Sequence, residues 1–102
     1  MPSTITSYTF FRELESLPFV EEIWLYGSRA RQDNKERSDI DLAIVCPKAT
    51  NMEWLSIIEI IDHADTLLEI DCVRLDSLGN TNSLKDNILT EGISLYKSHG
   101  KH

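Results

Sequence analysis

The sequence predicts an α/β fold of the α+β kind, a small sheet with helices packed mainly on one face. Three observations carry this expectation. Apolar residues recur at helical spacing in some stretches and at strand spacing in others, in the order helix, strand, short helix, strand, helix, strand, helix, with room for a small final strand. On the second strand Ile40, Leu42 and Ile44 share one face while Asp39 and Asp41 share the other, as a sheet covered on one side requires. No repeat, low-complexity tract or Pro/Gly/Ser linker divides the 102 residues, so residues 1–97 are expected to form a single domain and residues 98–102 a flexible tail. A chain of this length buries roughly 65% of the surface that its unfolded form exposes.

The first helix is expected from about Tyr8 to Leu17, with Phe10, Phe11 and Leu14 on one side and Pro18 as its stop. Residues Val20 to Tyr26 are rich in strand formers and end at Gly27. Ser28 is placed to N-cap a short basic helix, Arg29 to Gln32. A polar connection then leads into the strand Asp39 to Val45, closed by Pro47.

Thr50 or Asn51 can cap a long helix reaching about Asp65. Its core stripe is Trp54, Ile57, Ile58, Ile61, Ala64 and Leu68, flanked by Leu55 and Ile60. That arc is wider than the roughly 100° stripe of a surface helix, and deep packing is expected in preference to an exposed partner-binding face. The third strand, about Leu67 to Leu75, sets Glu69, Asp71 and Val73 on one side and Ile70 and Cys72 on the other. Residues Asp76 to Thr81 form a loop. Asn82 or Ser83 caps the last helix, through Leu84, Ile88 and Leu89 to Gly92, and Ile93 to Tyr96 is extended.

Composition narrows the functional classes. Apolar residues make up 41% and charged residues 26%, ordinary for a soluble domain. No apolar stretch approaches the roughly 20 residues that cross a bilayer. The N-terminus lacks the basic segment and apolar core of a signal peptide, so a cytoplasmic protein is expected. The net charge of −7, from 17 acidic and 10 basic residues, argues against broad binding to nucleic acid. It is compatible with a nucleoside triphosphate carried with magnesium, and with a basic protein partner. Cys46 and Cys72 fall on expected buried strands as small hydrophobes rather than as a disulfide or a nucleophile. His63, His99 and His102 have no metal-type spacing, and Tyr26 and Tyr96 read as packing residues.

The most informative feature is Gly27-Ser28, then ten residues, then Asp39-Ile40-Asp41. A glycine turn lets backbone N–H groups approach phosphates, and two carboxylates on one strand face can hold one hard cation. With its flanks, Tyr26-Gly27-Ser28-Arg29-Ala30-Arg31 and Ser38-Asp39-Ile40-Asp41-Leu42-Ala43-Ile44, this stretch resembles the signature of the DNA polymerase beta nucleotidyltransferase superfamily. Within it the chain is most similar to the minimal nucleotidyltransferases (MNT), including the MntA-like antitoxins of HEPN/MNT toxin–antitoxin pairs.

The resemblance covers nearly the whole chain and implies a polymerase-beta-type core with a small mixed sheet. It implies that Asp39 and Asp41 bind magnesium, two ions in all, and that a later strand adds a third acid. Asp71 is the best match for that acid and Glu69 the alternative. Gly27, Ser28 and Arg29 would bind the nucleotide, and Arg29 and Arg31 are equal candidates to screen the triphosphate charge. Gln32 departs from the family, in which a glycine often follows Arg-Ala-Arg, and this bears on loop shape rather than on the metal.

The implied activity is transfer of AMP from ATP to a tyrosine of a small all-helical HEPN ribonuclease toxin, which makes the chain an antitoxin in a hetero-oligomer. Two alternatives stand beside it. One is a small-molecule nucleotidyltransferase of the aminoglycoside type, completed by a separate substrate-binding subunit. The other is a catalytically idle antitoxin that acts by binding alone.

Overall fold

A four-stranded sheet organises the chain in a computed structural model that describes residues 2–31, 39–79 and 82–98. A 3-10 segment, Pro2–Ser7, leads into helix α1 (Thr9–Ser16). Strand β1 (Glu22–Tyr26) is followed by the short helix α2 (Ser28–Arg31), and strand β2 (Ile40–Val45) by helix α3 (Asn51–Asp62). Strand β3 (Ile70–Arg74), helix α4 (Ser83–Glu91) and strand β4 (Ile93–Lys97) complete the order. The strands lie in the order β3-β2-β1-β4. Strand β1 is antiparallel to β2 and β4, whereas β2 and β3 are parallel, so the sheet is mixed. A parallel pair needs a long crossover, and α3 supplies it.

Alternation along the strands decides which side chains enter the core. Ile40, Leu42 and Ile44 are fully buried with Ile23 and Leu25 against Phe10, Phe11 and Leu14 of α1 and Ile57 of α3. Each such aliphatic or aromatic side chain contributes about 1.5–3 kcal/mol on burial. The opposite face carries a smaller cluster, in which Ala43 packs with Leu75 and Ile88 and with the flanking Trp24, Val45 and Val73. Helix α4 therefore covers part of the second face. The uncovered end of that face holds Tyr26, Asp41 and Asp71.

The helix starts are capped in three different ways. Thr50 and Glu53 form a reciprocal capping box on α3, Thr50 Oγ1 accepting from the Glu53 N–H at 3.1 Å and Glu53 Oε1 from the Thr50 N–H at 2.8 Å. Asn82 Oδ1 accepts the N–H groups of Leu84 and Lys85 at the start of α4. Tyr8 gives α1 no side-chain cap. Asp65, beyond α3, does so instead, accepting the Thr9 and Phe10 N–H groups at 3.0 and 3.1 Å.

Three expectations are corrected. Helix α3 ends at Asp62, so Ala64 and Leu68 lie beyond it. It is not deeply packed: Ile57 and Ile61 are buried, Trp54 and Ile58 are half-buried, and Met52 and Leu55 are 74% and 57% exposed. It is an outer layer, with the sheet beneath and α1 at its side, so only one side of its wide apolar arc is covered. Ser28 opens α2 rather than capping it. Gly27 turns the chain one residue earlier, and its carbonyl accepts the Arg31 N–H at 3.2 Å.

The polar connection with Gln32, and also His99 and His102, lie outside the described residues. Ser98 donates its N–H to the Glu21 carbonyl at 2.8 Å, so backbone pairing reaches at least that far into the expected tail. Among the described residues no helix is long and apolar enough to cross a membrane.

Candidate active site

The turn after β1 shapes the site. Gly27 has φ of 75°, in the left-handed region that glycine adopts without steric cost. Its missing side chain matters as much as its φ, because a Cβ there would collide with Asp41 Oδ2. The turn and the second strand thus meet at a point that only glycine leaves open.

Strand register brings the acids together. Asp41 pairs with Tyr26 on β1 and with Asp71 on β3. All three residues therefore point to one face, with Asp41 in the middle. Asp41 is held above the usual carboxylate range, first by burial, then by the negative charges of Asp71 and Asp39, and by a hydrogen bond shared with Asp71. The Arg29 guanidinium pulls the other way. Burial and the charges of Asp41 and Asp71 also push the Tyr26 phenol up to about 12, so it stays a neutral donor.

Asp39 is exposed just before β2, and its carbonyl accepts from Arg29 Nε at 3.2 Å. This bond ties α2 to the mouth of the acidic strand. Arg31 is exposed on the same helix. Glu69 sits just before β3, where its carbonyl accepts the Ile40 N–H at 2.8 Å. Among the described residues no three His, Cys, Asp or Glu side chains already converge on one point as metal ligands. Asp41 and Asp71 share a side-chain hydrogen bond, while Asp39 is exposed. The donor set itself is all carboxylate oxygen, the chemistry that hard divalent cations take.

Tyr26 packs on the Ala43–Leu75–Ile88 cluster, as the sequence suggests, and its place beside Asp41 is what the sequence reading does not reach. The signal was its position as the last residue of β1, which in an antiparallel pair faces the start of the neighbouring strand. Cys46 is buried one residue past β2 rather than on it, and Cys72 is half-buried on β3. Both are free thiols, raised chiefly by burial to about 11 for Cys46 and about 12 for Cys72, and both stay protonated near neutrality. His63 is exposed, its Nδ1 2.9 Å from the Glu59 carbonyl.

The polymerase beta nucleotidyltransferase model matches residues 11–101. No curated protein sequence matches the chain. Several solved structures share the fold. A toxin–antitoxin with AMP-PNP has a TM-score of 0.67 at 22% identity, over 88% of this chain and 73% of that one. A mutant of the toxin–antitoxin MntA-HpeT has a TM-score of 0.64 at 20% identity, over 96% and 73%. A tri-AMPylated Shewanella oneidensis HEPN toxin in complex with MNT antitoxin gives 0.58 at 21% identity, over 95% and 69%.

Proposed function

The chain belongs to the polymerase beta nucleotidyltransferase family, and from that premise we propose that it is an antitoxin of the MNT type, transferring AMP from ATP to a tyrosine of a HEPN ribonuclease toxin. The observation that carries the reading is the register of Asp41 with Asp71 beneath the Gly27 turn. It sets two carboxylates side by side on the open face, with Asp39 one strand step away. Structural likeness adds direction, since similar folds occur in a toxin–antitoxin with AMP-PNP and in an MNT complex with a tri-AMPylated HEPN toxin.

In this reading Asp39, Asp41 and Asp71 would hold magnesium, which would supply positive charge to offset the charge that develops in the transfer. Gly27 gives the triphosphate close access to the backbone, and Ser28 and Arg29 bind it. The acceptor hydroxyl attacks the α-phosphorus, the bond to pyrophosphate breaks, and Asp71 receives the hydroxyl proton. Tyr26 remains protonated and walls the site. A cytoplasmic location and a hetero-oligomer belong to the same proposal.

Co-expression with a HEPN protein encoded beside this chain, followed by intact-mass spectrometry, tests it. The expected result is a partner heavier by whole AMP residues, with tyrosine modified. A partner fully inhibited but unmodified would favour binding alone. A partner neither bound nor modified would favour the small-molecule enzyme.

A further inference from the structure

Helix α3 carries Met52 and Leu55, two of the large apolar side chains that stand exposed among the described residues. Met52 and Leu55, one turn apart, are 74% and 57% exposed, and Trp54 and Ile58 flank them half-buried. Further along the same outward stripe come Glu59 and Asp62, both exposed. The helix contains three acidic residues and no lysine or arginine. Beside it, Glu13 of α1 joins Ser56, Glu59, Ile60 and His63 in lining a groove of about 370 Å³ between the two helices. This groove lies on the face of the sheet that α1 and α3 cover, whereas Asp41 and Asp71 lie on the face that α4 covers in part.

We propose that the α1–α3 groove and the adjoining Met52–Leu55 stripe dock a basic amphipathic helix of a partner protein. This rests on the antitoxin reading and names the surface through which a partner would be gripped. Charge selects the occupant. A second copy of this chain would set Glu13, Glu59 and Asp62 against themselves, in a molecule of net charge −7. A helix with lysine or arginine along its edges and apolar residues on its face meets both parts of the surface. Carboxylates along the groove steer the encounter and fix its register, and burial of Met52 and Leu55 holds it. Methionine suits the task because its unbranched chain repacks against differing partners.

The full chain, isotope-labelled, would be titrated with a designed Lys/Leu amphipathic helical peptide and with its Glu/Leu twin, following amide NMR shifts. The Lys/Leu peptide should perturb residues of α1 and α3 and weaken with added salt, and the Glu/Leu twin should not bind. Leu55→Glu should weaken binding about tenfold or more, while Leu89→Glu, at an exposed leucine of α4, should leave it unchanged. Shifts spread over other acidic surfaces, or no binding of either peptide, would overturn the proposal. So would a concentration-dependent dimer, seen by sedimentation, that Leu55→Glu dissociates. Binding of ATP with magnesium, measured on the same samples, separates the two readings: its absence counts against the nucleotidyltransferase site while the peptide titration still decides the groove.

Discussion

Asp41 fills the space that a side chain on Gly27 would need. The left-handed backbone at Gly27 and the half-buried carboxylate of Asp41 are two sides of one contact. The Gly-Ser and Asp-x-Asp halves of the motif are thus mechanically linked, since the turn can pass the strand only where residue 27 has no Cβ.

Gly27→Ala should therefore lose both stability and site geometry. The positive φ alone costs an alanine about 1–2 kcal/mol, and displacement of Asp41 adds to it. Urea denaturation should show a lower midpoint with an unchanged slope. Nucleotide transfer should fall further than the loss of folded protein explains.

A second expectation concerns Asp65. The Thr9 and Phe10 N–H groups hold its carboxyl below the usual carboxylate range. A depressed folded pKa means that the contribution is present above the unfolded value of about 3.9 and is lost as pH falls through the folded value. Asp65→Asn should melt earlier than the parent at neutral pH. The gap between the two should close in acid below the depressed value.

Arg74 clamps the turn between β2 and α3. Its guanidinium donates to the carbonyls of Cys46 at 2.8 Å and Ala49 at 3.0 Å, and pairs with Asp76 at 3.0 Å. Asp76 in turn accepts the Cys46 N–H at 2.8 Å. Arg74→Ala removes three charge-assisted contacts, while the Cys46 carbonyl keeps the Ala49 N–H at 3.0 Å and Asp76 keeps the Cys46 N–H, and should cost about 2–3 kcal/mol in chemical denaturation. Arg74→Lys should recover only part of this, because an ammonium cannot reproduce the fork.

The reach of sequence reasoning follows from the range of the interactions. Ile40, Leu42 and Ile44 announce the buried face because strand alternation is local, and a cap at Thr50 or Asn51 announces the start of α3 for the same reason. The Asp65 cap on α1 is not legible, since the partners stand 56 positions apart. Nor is the exposure of Met52 and Leu55, because periodicity marks an apolar arc but not how many layers cover it. At the site, Asp39 and Asp41 share a face by parity alone. The pairing of Asp41 with Asp71 needs the register of two strands separated by a whole helix, and the resemblance pointed to Asp71 before any geometry did. That Tyr26 packs is legible, but its place beside Asp41 comes from the strand it faces, not from its own neighbours in sequence.

The central claim is that the acids under the Gly27 turn carry nucleotidyl transfer, and Asp41→Asn tests it most directly. The substitution keeps volume and removes the charge, so circular dichroism should report an intact fold. With α-labelled ATP, magnesium and the partner protein, transfer of label by Asp41→Asn should fall by orders of magnitude relative to the parent, comparable to removal of a transition-state contact made by charge. Transfer near the parent rate by a folded Asp41→Asn protein would contradict the account.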